Sequence, residues 1–79
     1  MLFVFDEPGQ YGFWMKDMHF PIDIVWINEG GVVVTIADNV SPDTYPHSFH
    51  SSAPAQYVLE VPAGFTQNQG IALGAKIVI

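Results

Sequence analysis

Apolar positions along this chain recur in short runs with alternating character, broken by glycine and proline, and that pattern predicts strands. Leu2–Phe5 is a β-branched and aromatic run that ends at the turn-prone Asp6-Glu7-Pro8-Gly9. From Tyr11 to Lys16 the chain alternates: Tyr11, Phe13 and Met15 share one face, and Gly12, Trp14 and Lys16 share the other. Pro21 has no N–H to give a ladder, so it marks a strand start or an edge. Ile22–Ile27 then places Ile22, Ile24 and Trp26 on one face and Asp23, Val25 and Ile27 on the other. The stretch from Gly12 to Ile27 thus reads as two strands joined by a short connector, folding back to close an apolar interior.

Asn28-Glu29-Gly30-Gly31 is a hairpin turn, with glycines to supply positive φ. Val32–Ala37 is the return strand and the most β-prone stretch of the chain. From Asp38 to Ala55 periodicity is lost among Pro42, Pro46 and Pro54, which predicts a long loop of the kind usually kept for function. Gln56–Val61 is another strand. Pro62 ends it and suits a helix start, predicting a short helix over 63–69 stopped by Gly70. Leu73-Gly74-Ala75 turns the chain into a last strand, Lys76–Ile79. There is no internal repeat. The expectation is one domain over residues 1–79, mainly β (a β-rich α+β fold). Its sheet is small, mainly antiparallel, barrel-like or strongly curled, with five or six strands and one short helix.

Composition narrows the functional classes. The chain is 49% hydrophobic and 13% charged, too apolar for disorder. It has no cysteine, which excludes disulfides and thiolate zinc sites. Eight acids against two lysines give a net charge of −6. That balance disfavours nucleic acid and anionic membrane surfaces, whose phosphates call for lysine and arginine. No apolar run approaches a membrane span, and Met1 leads into the first strand with no leader pattern, so a soluble chain is expected.

Four residues are candidates for ligand binding: Trp14, Lys16, Asp23 and Glu60. Asp23 lies between isoleucines, where an unpaired carboxylate is unfavourable, and Lys16 in the preceding strand is a potential partner. A buried acid beside a cation can be a perturbed catalytic group. It can equally cap the Pro21 turn or accept backbone N–H bonds. Glu60 paired with Asp23 would make the two carboxylates of a glycosidase-like mechanism, while the polar side of a half-buried strand explains it as well. His47 and His50 stand three apart in a proline-flanked loop with no third ligand at zinc-like spacing, so solvated histidines are expected and no metal or cofactor. Trp14, Trp26, Tyr11 and Tyr45 could make an aromatic platform; Trp26 reads as core and Trp14 as the exposed ring. There is no phosphate loop, nucleophile elbow or zinc-protease helix. Asn39-Val40-Ser41 matches a glycosylation acceptor, a short match that arises easily by chance.

Taken together, FWMKD–PIDIVWI, the MLFVF before it and the YVLEVPAG–GIALGAKI after it resemble domain-of-unknown-function family 192, a group of small prokaryotic proteins. The resemblance runs from Met1 to Ile79. It implies a compact β-rich, barrel-like fold with one short helix and no established reaction. It also implies an exported or envelope setting. The family's characteristic residues fall on Phe13, Trp14, Met15, Lys16, Pro21, Asp23, Glu60, Ala63, Gly64, Gly70, Ile71 and Gly74. Three departures stand out: a preceding segment with a Gly-Leu-Met-x-Arg pattern is lacking, Asp17 replaces a common asparagine, and Ala75 replaces the usual aspartate after Gly74. A missing strand would leave an open edge for another chain, so a homodimer or strand-exchanged oligomer is expected.

The leading expectation is therefore a non-catalytic binding or assembly module with a groove near Trp14, Lys16, Asp23 and the 41–55 loop. The alternatives are a hydrolase acting on a saccharide or peptide through Asp23 and Glu60, and a purely structural, self-associating module.

Overall fold

In a computed structural model, which describes residues 1–78, the strand Ile22–Ile27 lies inside a sheet with a neighbour on each side. In chain order the elements are β1 (Leu2–Gly9), β2 (Gly12–Trp14), β3 (Ile22–Ile27), β4 (Val33–Val40), a 3-10 turn (Pro42–Thr44), β5 (Ser48–His50), β6 (Ala55–Pro62) and α1 (Phe65–Asn68). One antiparallel sheet has the order β1-β6-β3-β4, and β2 pairs with β5 in a separate ribbon. The mainly β expectation with one short helix holds. Among the described residues the strands form these two sheets and no closed barrel.

All six side chains of β3 are buried. A strand covered on both faces carries apolar residues at successive positions, and that is the composition here. Ile22, Ile24 and Trp26 pack with Val40, Val58, the ribbon residues Phe13 and Phe49, and Met15 just after β2. Val25 and Ile27 pack with Val33 on the other face, beneath Ile71, Ala75 and Ile77. The sheet is thus sandwiched between the ribbon and the segment after α1. Each large aliphatic side chain buried this way contributes about 2 kcal/mol.

The ribbon corrects the expected pairing of the two tryptophan-bearing strands. β3 bonds β4 on one edge and β6 on the other, so no edge is left for β2. β2 instead crosses above the face and pairs with β5 in the register Gly12↔His50, Phe13↔Phe49, Trp14↔Ser48. The predicted faces survive: Phe13 and Met15 point inward, and Gly12, Trp14 and Lys16 are exposed. The indole of Trp26 gives its N–H to the Tyr11 carbonyl at 3.0 Å, and its ring meets Phe13 edge-on at 6.4 Å.

The expected loop 38–55 is also more ordered than its prolines imply. β4 runs on to Val40, the 3-10 turn starts at Pro42, Tyr45–Pro46 is a cis peptide, and Ser48–His50 is a strand. Thr35 on β4 bonds the Ser52 hydroxyl at 2.8 Å and its backbone N–H at 2.9 Å, fastening the end of this segment to the main sheet. Likewise Asp6–Gly9 belongs to β1 rather than to a turn. The pairing slips between Val4 and Gly9, and an edge strand accommodates Pro8 because one side of it owes no hydrogen bond.

At the other end, α1 closes with a Schellman motif: Ile71 N–H reaches the Thr66 carbonyl at 2.8 Å and Gly70 N–H reaches Gln67 at 3.3 Å, with Gly70 at φ 68°. The expected last strand reduces to one bridge, Val32↔Lys76, flanked by Val33 N–H to Ala75 O at 2.9 Å and Ile77 N–H to Gly31 O at 2.7 Å; Ile79 lies outside the described residues. Gly31 sits at φ 85°, and a Cβ there would come within 2.7 Å of the Ile77 carbonyl. Gly31→Ala is therefore expected to lose about 2 kcal/mol or more, combining left-handed strain with displacement of the tail. Thermal denaturation checks this; an unchanged midpoint would show that the tail is not held there.

Candidate functional site

The four candidate residues do not converge. They fall into three places, fixed by strand register.

Asp23 leaves β3 on the Val25 side, away from the ribbon. Opposite it, β4 carries one extra residue between its pairs Ile22↔Val40 and Ile24↔Ala37, and Asn39 in that bulge has φ 50°. One Asp23 oxygen accepts the Asn39 N–H at 2.8 Å. The other accepts the Thr66 N–H at 3.0 Å and the Thr66 hydroxyl at 2.8 Å. The side chain is 1% exposed. Burial pushes its carboxyl up, but the bonds from the Asn39 and Thr66 backbone, the Thr66 hydroxyl and the Gly64 backbone together outweigh this and hold it below the usual carboxylate range. Asp23 thus stays ionised and joins the β4 bulge to the first turn of α1. Its partners are these amides and the hydroxyl, which corrects the expected pairing with Lys16. A polar cleft of ≈ 320 Å³ lies beside it, lined in part by Asp38, Gly64 and Gln67.

Trp14 and Lys16 do come together, on the solvent face of the ribbon. Trp14 is 49% exposed and Tyr45 is 44% exposed. Their ring centroids are 5.1 Å apart at 52°, and the Lys16 ammonium lies 5.8 Å from the Trp14 ring centre. Gly12 lets the neighbouring chain lie close: a Cβ there would be 2.5 Å from His50 Nε2 and 2.9 Å from Ser48 Oγ. The result is a surface of two aromatic rings, one ammonium, one imidazole and the Tyr45 and Ser48 hydroxyls, presented by short paired strands and the residues that follow β2 and the 3-10 turn.

Glu60 is on the opposite face of the sheet from Asp23. It pairs with Ile24, whereas Asp23 pairs with Val61, and directly paired residues share a face. The two carboxylates therefore cannot flank one bond, and the expected hydrolase pair has no geometry to support it. Burial pushes the Glu60 carboxyl up, and the amino group of Met1 offsets only part of this. Beside it is a largely apolar cleft of ≈ 330 Å³ with Met18, Phe20, Ile22 and Pro62 in its walls.

His47 turns its ring edge-on to Phe49 at 4.7 Å, and His50 lies over Gly12. Among the described residues, no three His, Cys, Asp or Glu side chains are grouped as a metal site. No helix among these residues is long and apolar enough to cross a membrane. Sequence reasoning missed Asn39 and Thr66. The only local signal was an asparagine, a residue tolerant of positive φ, at the end of a β-prone run.

The fold and the site together define a small mainly β domain with an exposed aromatic and cationic ribbon. The chain belongs to domain-of-unknown-function family 192, described as "Uncharacterized ACR", whose model matches residues 1–79. Two solved structures are similar to it. A Novosphingobium aromaticivorans protein of unknown function is 30% identical, with a TM-score of 0.88 over 96% of this chain and 54% of that one. A Sinorhizobium meliloti protein, provisionally described as a transcription regulator, is 34% identical, with a TM-score of 0.89 over 96% of this chain and 58% of that one. This chain thus spans little more than half the length of either. No curated protein matches. The family has no known function, and nothing in these relatives shows a catalytic role.

Proposed function

We propose that this chain is a non-catalytic binding module whose recognition surface is the outer face of the β2–β5 ribbon. The observation that carries this is Trp14: a large aromatic left half in solvent on a paired strand, beside Tyr45 and under a lone ammonium. Exposed aromatic rings offer flat apolar faces to sugar rings, and Lys16 adds a donor for an anionic group. Lys16, one of the chain's two lysines, is the local cation of this face, and the ligand that fits it is an acidic saccharide, held there against the general repulsion of a chain of net charge −6. The Sinorhizobium relative is described as a transcription regulator; binding of nucleic acid by this segment is disfavoured, because it has two lysines and no arginine.

Calorimetric titration with oligogalacturonate, against neutral maltohexaose, tests the proposal. Trp14→Ala and Lys16→Ala are each expected to weaken oligogalacturonate binding by about tenfold, or ~1.4 kcal/mol, with the thermal midpoint nearly unchanged. If either variant unfolds, its side chain is structural and the surface is wrongly assigned. Equal binding of the neutral sugar would remove the role of Lys16.

A second reading, self-association, is favoured by β1. Among the described residues it bonds only β6 along one edge, and Val4 is 63% exposed beside the other. A strand from a second copy would cover that other edge. Sedimentation velocity should then show a dimer that Val4→Lys dissolves; a monomer at every concentration counts against it.

A further inference from the structure

We infer that the apolar cleft around Glu60 is a socket for a basic side chain, arginine or lysine, presented by a partner protein. It is separate from the ribbon surface and of opposite charge preference.

The register builds the socket. Ile22 pairs with Pro62 and Ile24 with Glu60, so Ile22, Glu60 and Pro62 lie on the ribbon side of the sheet. Glu60 N–H also bonds the Met1 carbonyl at 2.8 Å, which sets Met1 beside Glu60. Farther along this face Met15 seals the interior. Past Met15 the connector to β3 contributes Met18 and Phe20 to the walls of a cleft of ≈ 330 Å³. That is at the small end of ordinary ligand sites.

The chemistry selects the occupant. Glu60 is half-buried, and among the described residues its carboxylate accepts no hydrogen bond: the influences on it are burial and the charge of the Met1 amino group. That amino group donates to the Glu60 backbone carbonyl. The carboxylate therefore has acceptor capacity to spare in surroundings that disfavour an unpaired charge. A wholly apolar occupant would bury it without a partner, and an anion would be repelled. An arginine or lysine meets both demands, since its stem covers Met18, Ile22 and Pro62 while its head supplies donors. Phe20, 55% exposed at the rim, offers a ring face to the same cation. The net charge of −6 favours the approach of basic partners to the chain.

The partner is a protein rather than a free amine because the wall residue Met1 leads directly into β1, which among the described residues bonds only β6. A chain laid along the other edge of β1 brings its side chains to the mouth of the cleft.

The test is an amide chemical-shift titration of the labelled chain at pH 7. The probes are a peptide, acetyl-Leu-Arg-Leu-amide, its norleucine analogue acetyl-Leu-Nle-Leu-amide, and butylguanidinium alone. The arginine peptide should shift Phe20, Ile22, Glu60 and Val61 and bind about tenfold tighter than the norleucine peptide. Glu60→Gln, which removes a desolvated charge and keeps the shape, should retain the native spectrum and abolish that preference. Butylguanidinium should bind the same residues more weakly than the arginine peptide. Equal binding of the two peptides, an undiminished preference in Glu60→Gln, or shifts confined to other residues would each overturn the socket. Equal affinity of butylguanidinium and the arginine peptide would overturn the assignment to a protein partner. Ribbon shifts are not expected in any arm, so failure here is distinguishable from failure of the saccharide proposal.

Discussion

Replacing Asp23 by alanine is expected to destabilise the chain by about 3 kcal/mol or more, enough to leave much of it unfolded. The change strands three donors: the Asn39 N–H, the Thr66 N–H and the Thr66 hydroxyl. Each unsatisfied buried donor costs about 1–3 kcal/mol. A domain of this size has only about 4–12 kcal/mol to lose. The bulge at Asn39 and the start of α1 should loosen together, because one carboxylate holds both. Asp23→Asn keeps the shape but puts an amide donor against other donors, and it should recover only part of the loss. The acid limb separates charge from shape. Asp23 has a folded pKa held below its ordinary value of 3.8. Its contribution is therefore complete above about pH 4 and is lost as pH falls through the depressed value. Urea unfolding followed by tryptophan fluorescence should show wild-type stability falling in that window and Asp23→Asn falling less. Parallel pH profiles would show that Asp23 is not the group responsible.

Trp26→Ala is expected to have a comparable effect, about 3–5 kcal/mol. Trp26 is wholly buried at the centre of the ribbon-side core, against Phe13, and its N–H satisfies the Tyr11 carbonyl. The alanine variant leaves both a cavity and an unpaired carbonyl, and it removes the surface on which the ribbon rests. Trp26→Phe fills most of the space but not the hydrogen bond, so it should fall between. Denaturant midpoints of the two variants decide this. A loss below about 1 kcal/mol for the alanine variant would mean that the ribbon is not seated on Trp26.

Residue patterns gave the strands their places and faces because side-chain alternation is a local property. Tyr11–Lys16 and Ile22–Ile27 are the clearest cases: period two separates the inward from the outward positions of the first and assigns the residues of the second, buried on both sides, to the two faces of the sheet. What the patterns could not carry was partner choice. Whether β2 pairs with β3 or with β5 depends on whether both edges of β3 are taken, and β6, which takes one of them, lies far along the chain. Ser48-Phe49-His50 is too short to show alternation against its prolines, so the ribbon's second strand was hidden in an apparent loop.

The candidate site was legible in the same partial way. Trp14 and Lys16 were readable as neighbours on one exposed face, two positions apart in an alternating run that continues past the end of β2. Tyr45 joins them only through the fold of the 3-10 turn. Asp23 stood out as an acid inside an apolar run, and it proves to be a fastening between a strand bulge and a helix start. Nothing local distinguishes that from a functional acid, because the donors, Asn39 and Thr66, are remote in sequence. Glu60 looked like its partner, but one step of register sends the two carboxylates to opposite faces.

The central functional claim is that ligand meets the ribbon through Trp14. The two indole N–H resonances report on it separately, since Trp14 is half exposed and Trp26 is buried on the inner side. Titration with oligogalacturonate should move the Trp14 indole signal progressively and leave the Trp26 signal in place. A stationary Trp14 signal, or movement of Trp26 alone, would contradict the account.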